Sequence, residues 1–155
     1  LLRSLQILID CNRQGTVRGY ATGEEAYRVW AEELLRNTWY EEHDDEDLFR
    51  RLSVNQFCAL ALCDARKSAA SYLASAVQLL PDWADEMEQI ASCFEKTSVI
   101  ADSIKDMVGL EGSVAAADVR SFWTKEKREA QAEALLKMRE LEQKAIQTAA
   151  RVCNG

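Results

Sequence analysis

The scarcity of chain breakers constrains this sequence more than any other feature. Its 155 residues contain one proline and six glycines. Tight hairpins need glycine at positive φ, and strand ends favour proline and glycine, so an all-β sandwich or barrel is not expected. A hydrophobic share of 48% is too high for a disordered segment or a linker. The length fits one domain, large enough to bury a core without disulfide or metal staples. The expectation is an all-α, antiparallel helical bundle of five or six helices, with residues 1–155 as a single helical domain. The first residue is Leu1 rather than methionine, which reads as a fragment of a longer chain.

Apolar spacing supplies the elements. Residues 1–13 place Leu1, Leu5, Leu8, Ile9 and Asn12 on one helical face. Residues 14–21 read as a loop. Thr22 and Glu25 form a capping box that opens a helix over 23–37, in which Tyr27 and Trp30 share a face. A polar stretch at 38–47 leads to a short helix at 44–51. Ser53 and Gln56 form a second capping box, opening a helix to Leu80 with Phe57, Ala61, Ala65, Ala69, Tyr72, Leu73, Ala76 and Leu80 on its buried face. Pro81 breaks that helix and starts the next, whose stripe runs through Trp83, Met87, Ile90, Ala91, Phe94, Val99 or Ala101, Ile104 and Val108 until Gly109 and Gly112. Residues 113–120 are ambiguous. A last helix spans 121–152, with Trp123, Ala130, Ala134, Met138, Leu141, Ala145, Thr148 and Val152 in its stripe.

The net charge of −7 is unevenly spread: residues 1–119 carry eleven basic and twenty-one acidic side chains, residues 120–155 eight and five. An acidic body repels phosphate backbones, so nucleic acid is not expected as a partner. No apolar run is long enough for a membrane span, so no membrane partner is expected either. Cysteines 11, 58, 63, 93 and 153 are odd in number and form no Cys-x-x-Cys pair. They read as small core residues of a cytoplasmic protein.

Catalytic and cofactor motifs are missing. His43 is the single histidine, too few for a ferritin-like two-metal site or a histidine-rich zinc site. It lies in an acidic stretch and reads as a surface residue rather than a base. The acidic run 41–47 lacks calcium-loop spacing, and no glycine-rich phosphate cradle occurs. The sequence therefore assigns no catalytic residue, no metal and no cofactor, and activity in this chain alone is not expected.

Aromatic side chains are concentrated instead. Tyr20, Tyr27, Trp30, Trp39 and Tyr40 fall within 21 residues, and Tyr72, Trp83, Phe94 and Trp123 could meet them in the fold. Such residues fill a core or line a pocket between helices. For a pocket, Tyr27, Trp30, Glu33 and Arg66 are the candidate ligand-binding residues. Arg66 lies mid-helix among alanines. Facing inward it must pair, with Glu140 or Glu142 on the last helix as partner, because a buried lone guanidinium is very costly.

Three segments, GYATGEEAYRVWAEEL (19–34), DARKSAASYLASAVQLLP (64–81) and REAQAEALLKMRELEQKAI (128–146), together resemble the helical C-terminal region of butirosin-biosynthesis acyltransferase-like and cysteine-peptidase-like proteins. The resemblance implies a papain-like half before Leu1 that carries the catalytic cysteine and histidine. This chain would then be a non-catalytic accessory domain, facing substrate or forming a dimer surface. The alternative is a stand-alone cytosolic helical bundle that binds a small aromatic or amphipathic ligand or a protein partner. A small-molecule ligand, an N-terminal catalytic half and a second copy forming a homodimer are the partners left open.

Overall fold

A computed structural model describes residues 2–109 and 114–154. Leu1 and Gly112, read above as a helix residue and a helix stop, lie outside the described residues. The chain runs through α1 (Leu2–Arg13), a minimal hairpin of β1 (Thr16–Val17) and β2 (Tyr20–Ala21), α2 (Gly23–Leu34), α3 (Asn37–Glu42), α4 (Asp45–Ala76), α5 (Ala84–Met107), α6 (Val119–Phe122) and α7 (Lys125–Asn154). It is an all-α helical bundle. Among the described residues there are seven α-helices rather than five or six. The extra ones, α3 and α6, hold one or two turns and are too short to show periodicity.

Helix boundaries depart from the capping signals in two places. Thr22 precedes α2, but its hydroxyl makes no cap bond and is buried without a partner; Glu25 turns to Arg28 instead. The 53–56 box starts nothing, because α4 runs unbroken through it. Ser53 Oγ donates to the Phe49 carbonyl one turn back, and Gln56 donates to the Val108 carbonyl at the end of α5. The true cap of α4 is Asp44, whose carboxylate accepts from the Asp47 N–H at 2.9 Å, with Asp45, Glu46 and Asp47 favouring the positive end of the helix dipole. Pro81 opens a short 3₁₀ turn, Pro81–Trp83, that feeds α5.

Helix α7 forms the spine, packing against α5, α2 and α1, while α4 packs on α5. Helices α4 and α5 are antiparallel: Gln56 reaches Val108 and Cys63 reaches Asp102. Helices α4 and α7 run parallel. Two polar bridges, Asn55–Gln131 and Arg66–Glu142, join them with the same sequence offset of 76 residues. The bridges are eleven residues apart on each helix, about three turns, so they lie on one face and lock a single register.

The core has two apolar clusters. The first gathers Tyr27, Leu34, Tyr40, Leu48, Leu52, Ile104, Val119, Trp123, Leu135 and Met138. The second gathers Leu5, Ile9, Leu73, Met87, Ile90, Phe94, Ile146 and Val152. Along α4, Arg66 falls between Cys63 of the first and Leu73 of the second. Along α7, Glu142 falls between Met138 and Ala145. Along α5, fully buried Thr97 falls between Phe94 and Ala101, its hydroxyl donating to the Phe94 carbonyl at 2.8 Å. A polar layer thus separates two oily ones.

The face of α4 read from the sequence is partly wrong. Leu48, Leu52, Asn55, Ala59, Cys63, Leu73 and Ala76 are buried, while Phe57 is 71% exposed and Ala61, Ala65 and Tyr72 face outward. The helix carries apolar residues on both sides, so periodicity alone picks the wrong one for most of its length. On α5 the open choice resolves to Ala101, which is fully buried, and Val99 is exposed. Phe57→Ser is expected to shift stability by no more than about 0.5 kcal/mol in urea unfolding, as for a surface site. A loss of several times that would place Phe57 in a packed interface.

Candidate ligand-binding site

The four residues selected from the sequence separate into two pairs. Tyr27 and Arg66 belong to the polar layer. The Tyr27 hydroxyl donates to Glu142 Oε1 at 2.6 Å. Arg66 Nη2 donates to the Tyr27 hydroxyl at 2.8 Å and to Glu142 Oε2 at 3.1 Å, and Arg66 Nε also bonds Glu142. Of the two partners expected for Arg66, Glu142 is the one used. Burial, with the neighbouring Glu142 charge, holds the Tyr27 hydroxyl far above its usual pKa, so it stays a neutral donor. Burial opposes the Arg66 charge, yet Glu142 and Tyr27 raise its pKa overall. This closed triad is an interhelical clamp.

Trp30 and Glu33 line a different feature, a cavity of about 200 Å³ between α2, α3 and the first half of α4. Its other walls include Tyr40, Arg51, Asn55 and Trp123. Each wall is fixed by its own contacts. The Trp30 indole N–H donates to Asn55 Oδ1 at 2.8 Å. Asn55 and Gln131 exchange a reciprocal pair of amide bonds at 2.9 Å, both buried. Tyr40 meets Trp123 edge to face, centroids 5.3 Å apart. Arg51 bonds Glu33 at 2.8 Å and lies 4.1 Å over the Trp39 ring. The cavity is therefore a half-open aromatic box whose rim carries exposed Val54 and Cys58 and the Glu33 carboxylate, which Arg51 and Arg36 share. Trp123 is 3% exposed, and its indole N–H has no partner among the described residues.

Of the aromatics that could join this group, Trp123 does and three do not. Tyr72 and Phe94 line a separate apolar groove with Arg66 and Leu8, and Trp83 packs on the second core cluster. His43 stacks on Trp39 with centroids 4.0 Å apart, and its Nδ1 lies 2.7 Å from the Trp39 carbonyl. Buried Cys63 donates to Asp102, and both burial and that carboxylate push its thiol pKa up, which suits a packed thiol rather than a nucleophile. Among the described residues, no three His, Cys, Asp or Glu side chains are grouped to hold a metal. No helix of the described residues is long and apolar enough to cross a membrane.

No family model, curated protein or solved structure matches the chain, and nothing links it to acyltransferase-like or peptidase-like proteins.

Arg51 and Asn55 were not named from the sequence, while Tyr40 and Trp123 were named there only as aromatics that could meet in the fold. One signal points to Gln131, the partner of Asn55. On α7, positions 128, 131, 135, 138, 142, 145, 149 and 152 alternate steps of three and four, and all eight are buried. Three of them are Arg128, Gln131 and Glu142. A search for apolar residues skips these polar members, yet a core-facing polar residue is where a network or a site begins.

Proposed function

We propose that this chain is a non-catalytic helical domain that binds a small, uncharged aromatic molecule in the cavity lined by Trp30, Tyr40, Asn55 and Trp123. The supporting observation is the box itself: three aromatic walls around an apolar space, with its amides already paired and the Glu33 carboxylate shared by Arg51 and Arg36 at the rim. Such lining binds flat apolar rings by area and excludes bare charges. A volume near 200 Å³ suits a one- or two-ring ligand. The box is built within this chain, so the reading holds both for a stand-alone bundle and for an accessory domain beside a papain-like half.

Indole is a suitable probe. In ¹⁵N correlation spectra the four tryptophans supply four indole N–H signals. Adding indole is expected to move the Trp30 and Trp123 signals in a saturable way and leave Trp83 in place. Trp30→Ala should weaken binding by at least about tenfold, equivalent to about 1.4 kcal/mol. No movement, or equal movement of Trp83, would sink the proposal.

A further inference from the structure

The Tyr40–Trp123 pair has a second hollow against it, of about 270 Å³, lined also by Arg120, Lys125 and Arg128. Arg128 is 7% exposed, the least solvent-accessible cation among the described residues. Its Nη1 donates to the Trp123 carbonyl and its Nη2 to Asn37 Oδ1, both at 3.0 Å, and its guanidinium lies 3.8 Å over the Tyr40 ring. These partners are all neutral. Among the described residues no carboxylate comes within 4 Å of it, and its Nε–H has no partner at all.

Two of the partly buried arginines have a carboxylate partner, Arg66 with Glu142 and Arg51 with Glu33, whereas Arg139, also partly buried, has none among the described residues. Burying a cation without a counter-ion is expensive. Burial accordingly lowers the Arg128 pKa, with Glu126 and Glu129 of its own helix acting only from a distance. Cations outnumber acids in the rest of the lining. Arg120 and Lys125 add positive charge, Glu41 is the one acid, and the first turn of α7 brings the positive end of its dipole. Among the described residues Lys125 is engaged only by Glu129 at 3.7 Å, and Arg120 by Asp45 and two backbone carbonyls. This cationic hollow sits on a chain of net charge −7.

We infer that the hollow is an anion-binding site for a small aromatic carboxylate, its carboxylate supplying the counter-ion that Arg128 lacks and its ring lying against Tyr40 and Trp123. It shares Tyr40 and Trp123 with the uncharged box and differs in its polar groups, Arg120, Lys125 and Arg128 here against Glu33, Arg51 and Asn55 there.

Benzoate, with benzyl alcohol as its uncharged counterpart, tests this on the full chain by calorimetry and thermal melting. Benzoate is expected to bind saturably and raise Tm, while the affinity for benzyl alcohol, which the uncharged box also accepts, should stay within about twofold in Arg128→Met. Arg128→Met should lose at least about tenfold in benzoate affinity. Lys125→Glu, at an exposed rim position, should lose about two- to fivefold and keeps the test alive if Arg128→Met does not fold. Unchanged benzoate affinity in the folded variants, or an equal loss of benzyl alcohol affinity in Arg128→Met, overturns the inference. Neither result touches the indole box as read at the Trp30 signal, since Trp30 lines only that box while Trp123 lines both hollows.

Discussion

Glu142→Ala is expected to destabilise the protein by about 3–5 kcal/mol, the usual loss when one member of a buried ion pair is removed. The carboxylate is 4% exposed and takes bonds from both Arg66 and Tyr27. Without it the Arg66 guanidinium keeps only the Tyr27 hydroxyl and must either stay uncompensated or pull out toward solvent, opening the layer between two apolar clusters. Arg66→Ala leaves the opposite charge behind and should lose a comparable amount. The triple replacement Arg66→Met, Glu142→Leu, Tyr27→Phe removes all the polar groups together and should recover most of the loss, since a packed apolar layer often matches a buried ion pair. Urea unfolding of the three variants checks this. If the triple variant is as unstable as Glu142→Ala, lost packing rather than stranded charge explains the effect. Indole affinity should survive Arg66→Ala, because the clamp does not line the aromatic box.

Gly23→Ala is expected to lose roughly 2–5 kcal/mol, from about 1–2 for a left-handed alanine and about 1–3 for overpacking. Gly23 has φ +58°, and a Cβ there would come 2.6 Å from Asn12 Cα at the end of α1. That neighbour is backbone, so no rotamer change relieves the clash, and α1 and α2 must move apart. Gly15→Ala separates the two contributions. Its φ is +67° but nothing lies within 4 Å of the added carbon, so it should lose only about 1–2 kcal/mol. Equal losses in the two variants, measured by thermal melting, would show that the close approach of α1 and α2 contributes nothing.

Much of the fold was legible in sequence because long amphipathic helices advertise themselves. The stop at Pro81 is local chemistry, and it appears close to where it was read. The capping boxes were misread because a Ser-x-x-Gln pattern costs nothing inside a helix when both side chains find other partners, as Ser53 and Gln56 do. The buried face of α4 was misread because Val54, Phe57 and Ala61 form as regular an apolar row as the core residues do. A pairing of Arg66 with Glu140 or Glu142 was expected because a mid-helix arginine among alanines has few ways to be satisfied, and the fold selects Glu142. Trp30 and Glu33 were found together in one cavity, while Tyr40, Asn55 and Trp123 come from three other stretches of chain that local spacing does not connect.

The near absence of glycine and proline settled that this chain would be helical. The class follows from local terms: hydrogen bonds close within four residues, and nothing in the sequence interrupts them. Which helices lie together, and at what register, is a matter of tertiary packing. It took the fold to bring Asn55 to Gln131 and Arg66 to Glu142 at one offset, to leave the Phe57 face outside, and to set Tyr40 on Trp123 in the lining of two hollows. Those outcomes depend on which buried charges and amides could be satisfied across the core. That is a property of pairs far apart in sequence, and no single helix carries it.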